Sequence, residues 1–299
     1  MAELPFAFCE SVIAALRKPS HIRQTFRSRV WQTAIDEHVE HRCLINVDIS
    51  YKNGVWYDYI SYSHFGDVLN VEDLQKVNRK YLRIARINLD NSDHGRKSSF
   101  EEILRIVKFT LAYVSMSTLS IHCIDFFPQE HLNQLLFEYR NSSFSSLYTL
   151  GNIDPIGDAL KGHLAYNTLS DVRLCAANMP GSLEYAIQEF IVLKPFELIQ
   201  LEPLNWKLDR AFFERLFAKQ FDGFVTICSV ICCFSFQLND LKEFRKELQV
   251  KQESWIIQWK REDGVRVEIS KYGSSSDILE INFSNSDREY LFELVPILR

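Results

Sequence analysis

LRIARINL at residues 82–89 is the first of six short apolar segments that recur along the middle of this chain. The others are LSIHCI (119–124), LYTLGNI (147–153), VRLCAA (172–177), LIQLEPL (198–204) and VTICSV (225–230). The centres of these five later segments are spaced by 28, 25, 27 and 26 residues, at Ile121, Thr149, Leu174, Leu201 and Ile227. A nearly constant period of this size predicts stacked repeats that share one continuous core.

An amphipathic segment follows each apolar one. Helical spacing of apolar residues predicts helices at 100–114, 129–139, 156–165, 182–193, 210–219 and 238–249. N-capping residues or an early proline open most of them, for example Ser98 or Ser99, Pro128 and Asp209. Alternating strands and helices with short connections favour parallel strands and right-handed crossovers. We therefore predict a curved, leucine-rich-repeat-like α/β solenoid over residues 81–250.

Two segments of different character flank the repeats. Residues 43–80 contain a predicted β-hairpin and a connector, since two alternating segments are joined by Asn53-Gly54, a typical two-residue turn. Residues 251–299 alternate as an antiparallel meander around Trp255–Trp259, Val265–Ile269 and Ile278–Phe283. We expect this meander to cap the open end of the solenoid, with a separate recognition module as the alternative.

Residues 1–42 are predicted to form a helical module. One face of its first helix carries Leu4, Phe8, Val12, Ile13 and Leu16. A second helix is expected to run from Ile22 through Trp31 toward His41. Two helices this short cannot hide their apolar faces alone, so we expect them to dock on the following domain or on a partner.

Composition narrows the class of protein. The chain has 299 residues, of which 46% are hydrophobic and 24% charged, and a net charge of −5. This charge does not favour a nucleic-acid partner, and no apolar run reaches the ~18 residues of a membrane span. The seven cysteines lie within apolar segments, which is typical of reduced thiols. We expect a cytoplasmic or nuclear protein.

Motifs for catalysis are absent from the sequence. It contains no GxGxxG, no GxxxxGK[ST] and no GxSxG. His38, His41 and Cys43 have a weak metal-like spacing, and we interpret them as the exposed polar end of a helix. Cys228, Cys232 and Cys233 are interpreted as buried small hydrophobes. We predict a non-enzymatic protein without a cofactor or metal, and only a pocket with converging titratable groups would reopen the alternative.

The N-terminal residues also carry a family resemblance. Leu4-Pro5 and the apolar stripe after it resemble the first helix of an F-box. Over most of its length the chain resembles a large nematode family of F-box-like proteins that open with Pro-Phe-x-Phe-Cys-x-x-Val, here Pro5 to Val12. Further family-like segments are Asn53-Gly54-Val55-Trp56, Arg79-Lys80-Tyr81-Leu82, Asn141-Ser142-Ser143-Phe144 and Lys194-Pro195-Phe196-Glu197.

The resemblance implies a role in protein ubiquitylation. F-box proteins dock on the Skp1 adaptor of a cullin–RING ubiquitin ligase and capture a client protein through a second domain. The residues implied to bind Skp1 are Leu4, Pro5, Phe8, Val12, Leu16 and Trp31. Some family members neutralise a paired toxin, so a toxin partner is one candidate client.

Two interpretations of the repeats follow. In the first, the strand face or the loop rim binds the client, with His122, Asn178, Asn205 and Trp206 as candidate residues. In the second, the protein is an interaction scaffold without a link to ubiquitin ligases, and its N-terminal helices merely cap the repeats. Burial of Leu4, Phe8, Val12 and Leu16 inside the chain would favour the second.

Overall fold

The computed structural model describes residues 5–15, 25, 28–63, 68–114, 117–166, 168–176, 179–194, 196, 198–201, 207–218, 227–230, 233–234, 256–260, 265–271 and 279–285. The fold is α/β. Two N-terminal helices precede a large sheet whose strands alternate with helices along the chain.

The two N-terminal helices, named here the helical pair, are α1 (Phe6–Ala15) and α2 (Arg29–His41). Pro5 precedes α1, where its missing N–H leaves no helical bond unmade. Cys9 and Ile13 lie one turn apart on α1 and pack against Ala34 and Ile35 of α2. These side chains form a hydrophobic cluster separate from the main core.

A β-hairpin follows the helical pair, as its sequence predicted. Strands β1 (Cys43–Lys52) and β2 (Val55–Tyr62) pair antiparallel. The turn residues Asn53 and Gly54 have φ angles of 52° and 82°, which is the left-handed conformation that an Asn-Gly turn adopts. Next come β3 (Val68–Leu69), which pairs with β2, and α3 (Val71–Lys76), which begins at a capping box.

The repeated segments form alternating strands and helices. They are β4 (Leu82–Asp90), β5 (Arg96–Ser98), α4 (Phe100–Thr110), β6 (Thr118–His122), α5 (Gln129–Tyr139), β7 (Ser146–Leu150), α6 (Gly157–Ala165), β8 (Asp171–Cys175), α7 (Gly181–Leu193), β9 (Leu198–Leu201), β10 (Lys207–Leu208), α8 (Arg210–Ala218), β11 (Ile227–Val230) and β12 (Cys233–Phe234). The helix predicted at 238–249 lies outside the described residues.

One open sheet contains most of these strands. Nine lie side by side in the order β11-β9-β8-β7-β6-β4-β1-β2-β3, and β5 pairs with β2 off this path. Neighbours from β1 through β4 to β11 are parallel, whereas β2 pairs antiparallel with β1, β3 and β5. The short strands β10 and β12 pair with each other.

The main core lies between the apolar face of this sheet and the helices. Hydrogen-bonding register aligns one buried residue from each of five neighbouring strands in a single row, Ile87, Leu119, Leu147, Val172 and Ile199. Helices α4 to α7 cover the row with apolar residues of their own, among them Ile106, Leu135, Leu160 and Ile187. Full burial of each such side chain stabilises the fold by about 2 kcal/mol. We call this sheet with helices α3 to α8 the sheet body.

Three strands near the C-terminus form a second sheet. They are β13 (Ile256–Lys260), β14 (Val265–Lys271) and β15 (Leu279–Asn285), and they pair antiparallel in chain order. Within the described residues these strands hydrogen-bond only with one another.

The prediction of an F-box-like helical module, a curved leucine-rich-repeat-like solenoid and an antiparallel cap is wrong. The hairpin is part of the large sheet because β1 pairs in parallel with β4. The result is one open, mixed and mostly parallel sheet with a separate three-stranded sheet. A constant strand–helix period is compatible with every architecture built from parallel strands and helical crossovers. The period therefore could not show how the hairpin and the ends of the chain join the repeats.

Candidate interaction surfaces

The first candidate surface lies on α1. The helix turns Cys9 and Ile13 inward, and both are fully buried. Phe6 and Phe8 face outward and remain 40% and 50% exposed. By the helical period, Phe8 projects away from the side of α1 that carries Cys9 and Ile13, whereas Phe6, three residues before Cys9, lies along that side at the exposed start of the helix. Large exposed aromatic side chains so close together are typical of a surface that a partner covers.

Trp31 of α2 extends this surface. Its ring meets the ring of Phe8 edge to face, with the centroids 6.3 Å apart. Trp31 also packs against the small cluster of the helical pair and is partly buried. We define the α1 face as Pro5, Phe8, Val12 and Trp31, together with Phe6 beside them at the start of the helix. Of the residues implied to bind Skp1, Leu4 and Leu16 lie outside the described residues.

Polar and aromatic contacts attach the helical pair to the sheet body. Glu10 of α1 forms an ion pair with Lys80, and this contact raises the pKa of Lys80 to about 12. The Tyr81 hydroxyl donates a hydrogen bond to Glu37 Oε2 at 2.9 Å. Lys80 and Tyr81 directly precede β4, so the contacts reach the first parallel strands. We call the region formed by Glu10, Glu37, Lys80 and Tyr81 the helix–sheet joint.

The second candidate surface is the polar face of the sheet. The strand residues that alternate with the core residues bring a polar row to this face, Tyr59, Asp48, Asn88, Ser120, Tyr148, Arg173 and Gln200. Within this row Arg173 is exposed, and most of the remaining side chains are partly exposed. Arg86, two residues before Asn88 on β4, is exposed as well. Tyrosine and arginine are enriched in protein interfaces, so the composition of this face favours a protein ligand.

Charged groups on the polar face are arranged around β1 and β4. Arg86 Nη2 lies 3.8 Å from Asp48 Oδ1, and Asn88 Nδ2 donates to Asp90 Oδ2 at 3.0 Å. Partial burial raises the pKa of Asp48; Arg86 opposes this rise and the like charge of Asp90 adds to it. The face thus presents carboxylates and a guanidinium side by side, which suits recognition of a polar surface.

His122 lies at the end of β6 on this face. Its ring meets the Tyr148 ring edge to face, with centroids 4.9 Å apart. Burial lowers the pKa of His122, Asp90 opposes this and Arg86 reinforces it. The imidazole is therefore neutral near pH 7 and offers one donor and one acceptor. The other candidate client-binding residues, Asn178, Asn205 and Trp206, lie outside the described residues.

Several residues of these surfaces were not singled out from the sequence. Phe6 was missed because the predicted apolar face ran through Phe8 and Val12 as well as Ile13, whereas the structure buries Ile13 together with Cys9. Arg86, Asn88 and Asp90 were missed although they recur at every second residue of β4. That period of two, read beside the buried Ile87 and Leu89, was the signal that could have identified the polar face.

The structure corrects the interpretation of His38 and His41. They were expected at an exposed helix end: His41 is exposed at the end of α2, as expected, but His38 is fully buried. The rings of His38 and His41 both pack on Tyr81, with centroids 5.3 and 5.2 Å away. Among the residues that the structure describes, no group of three or more His, Cys, Asp or Glu side chains could hold a metal ion.

Comparisons with known proteins add no family. No family model, curated protein or solved structure matches this chain. The resemblance of Pro5 to Val12 to nematode F-box-like proteins therefore stays a prediction. Within the described ranges, every helix is too short or too polar to cross a membrane.

Proposed function

We propose that this chain is a non-catalytic substrate receptor of a Skp1–cullin ubiquitin ligase. In this proposal the α1 face docks on a Skp1-like adaptor, and the polar face of the sheet holds a client protein. The docking element is the helical pair itself, without an F-box fold. The mechanism is proximity, because one chain holds the client beside the transfer machinery.

Exposure of Phe6 and Phe8 is the observation that carries the proposal. The same helix buries Cys9 and Ile13 completely, so its outer aromatic residues are not needed for the chain's own core. Phe8 and Trp31 lie edge to face and give this surface a continuous apolar centre. Such a centre in an otherwise polar rim is the usual anatomy of an interface.

The client site is proposed on the basis of the polar face. Tyr59, Tyr148, His122 and Arg173 supply amphipathic rings and a guanidinium, which form hydrogen bonds while covering apolar area. A client surface with complementary charges would satisfy Asp48 and Asp90. A cytosolic or nuclear setting belongs to the same proposal, and the thiols of Cys9, Cys43 and Cys123, which form no disulfide in the described part of the chain, support a reducing compartment.

An interaction scaffold without a ligase is the second candidate. The ion pair between Glu10 and Lys80 favours it, because this contact ties α1 to the chain's own sheet body. In that case the helical pair covers the first strands of the sheet, and the exposed phenylalanines serve a different partner.

Affinity purification with mass spectrometry separates the two candidates. The full chain is compared with a Phe6→Ala/Phe8→Ala variant and with Phe137→Ala, a matched control at a phenylalanine of α5 that is 59% exposed. We expect Skp1-like and cullin peptides with the wild type and the control, and their loss from the double variant. Absence of Skp1 above background from all three would contradict the ligase and leave the scaffold.

A further inference from the structure

The helix–sheet joint differs from the rest of the interior in its chemistry. Among the described residues, the helical pair and the sheet body have separate hydrophobic clusters. Between them lie an ion pair, a tyrosine–carboxylate hydrogen bond and stacked aromatic rings. A contact made from such groups depends on their charge states far more than a contact between aliphatic side chains does.

His38 occupies the centre of this joint. It lies on α2, is fully buried, and sets its ring against the ring of Tyr81. Neither ring nitrogen has a hydrogen-bond partner in the structure. An imidazolium in this position would carry two buried N–H donors without acceptors, which costs far more free energy than the neutral ring does. His38 therefore packs as a neutral ring.

The charged groups around His38 are mostly cations. Arg42 at the end of α2, Lys80 before β4 and Arg83 of β4 oppose its protonation, and Glu10 of α1 favours it. Burial is the largest cause that lowers the pKa of His38, followed by Arg42 and Arg83. The joint already contains closely spaced positive charges, since burial and the nearby Arg83 lower the pKa of Arg42 to about 10.

The remaining acidic groups at the joint are engaged elsewhere. Glu10 forms its ion pair with Lys80. Glu37 accepts the hydrogen bond from Tyr81 and lies 3.8 Å from the ring of His41. A proton on His38 would thus add a cation beside Arg42, Arg83 and Lys80, and Glu10, the acidic group that favours this proton, is already paired with Lys80.

We propose that His38 makes the helix–sheet joint a proton-sensitive latch: the neutral ring holds the helical pair on the sheet body, and its protonation releases α2 from Tyr81 and β4. The direction of this pH dependence follows from the lowered pKa of His38. The latch is closed in full above 6.5, the ordinary pKa of histidine, and opens progressively as the pH falls below that value. This inference stands independently of the partner that the α1 face binds.

Hydrogen exchange of the full chain at pH 7.5 and 5.5, corrected for intrinsic exchange rates, tests the latch. At one pH unit below the ordinary histidine pKa, the opening constant of the α2 amides should rise in the wild type by up to about tenfold. His38→Leu should remove this rise. His94→Gln, a control at an exposed histidine whose ring packs on Tyr59 of β2, should retain it.

A second variant keeps the test valid if His38→Leu opens the joint at both pH values. Arg83→Met removes one of the cations that oppose protonation of His38. The rise in the opening constant between pH 7.5 and 5.5 should therefore be several-fold smaller in this variant than in the wild type. Equal rises in the wild type, His38→Leu and Arg83→Met would overturn the proposal. So would a wild-type opening constant that is the same at both pH values.

Discussion

The helical pair and the sheet body are stabilised in different ways. Rows of buried aliphatic residues run across five parallel strands of the body, and helices α4 to α7 cover them. The helical pair buries a small cluster around Cys9 and Ile13 and meets the body through the polar helix–sheet joint. Hydrophobic stabilisation scales with buried apolar area, so the pair should open at a lower free energy than the body. The surface proposed for adaptor binding therefore belongs to the region that is attached most weakly.

The largest expected effect is a loss of stability of the sheet body. Leu174 of β8 is fully buried between Thr149 and Leu201 of the neighbouring strands. Leu174→Ala removes buried methyl groups and leaves a cavity, which should lower the free energy of unfolding by about 3 kcal/mol. Urea unfolding followed by far-ultraviolet circular dichroism measures it. Arg173→Ala, at the adjacent exposed position, is the control and should leave the midpoint nearly unchanged.

The matching change in the helical pair is Ile13→Ala, since Ile13 is equally buried. If the two regions are separable, this substitution speeds hydrogen exchange of the amides of α1 and α2. The urea midpoint for unfolding of the sheet body should then stay unchanged. A midpoint shift as large as that of Leu174→Ala would show instead that the pair and the body unfold as one unit.

Acid should weaken the body through a different histidine from the one in the joint. His163 of α6 is buried against Phe144 without a hydrogen-bond partner, and burial lowers its pKa to about 4 from 6.5. The unfolded chain therefore binds a proton that the folded chain excludes. Stability is complete above pH 6.5 and falls between pH 6.5 and 4, by about 3 kcal/mol in total.

Comparison with His163→Leu isolates this contribution. The difference in unfolding free energy between the wild type and the variant should shift against the wild type as the pH falls, because the variant has no proton to take up on unfolding. A difference that stays constant between pH 7.5 and 4.5 would contradict the assignment.

How far the sequence predicts this molecule depends on whether a feature is local. The helix at Gln129–Tyr139, the Asn53-Gly54 turn and the cap at Ser99 were predicted from neighbouring residues and are confirmed. The joining of β1 to β4 was not predicted, since parallel pairing of strands that are separated by residues 53–81 leaves no mark in either strand alone.

The candidate surfaces were predictable only in part. The position of His122 on the strand face opposite Leu119 and Ile121 follows from strand periodicity, whereas the sequence left open whether Phe8 is exposed or covered. Burial of His38 does not, because an Asp-Glu-His-Val-Glu-His segment is typical of a solvated helix. Its burial depends on a tertiary contact, in which its ring packs on the ring of Tyr81.

The smallest expected effect compares two helix N-termini. Ser99 caps α4 in a reciprocal box with Glu102, whereas Ser28 precedes α2 without a side-chain capping bond. Ser99→Ala should lower the free energy of unfolding by about 1 kcal/mol, and Ser28→Ala should change it by less than measurement error. Thermal unfolding of both variants beside the wild type measures the difference. Equal losses would mean that the capping box contributes nothing specific.

Native-state hydrogen exchange at pH 7.5 in increasing, sub-denaturing urea is the most direct test of the claim that the helical pair is separable. The amides of α2 should exchange through an opening of lower free energy and weaker urea dependence than the amides of β6, β7 and β8. This result would identify the pair as a unit of its own on the sheet body. The same free energy and urea dependence for all these amides would contradict the account.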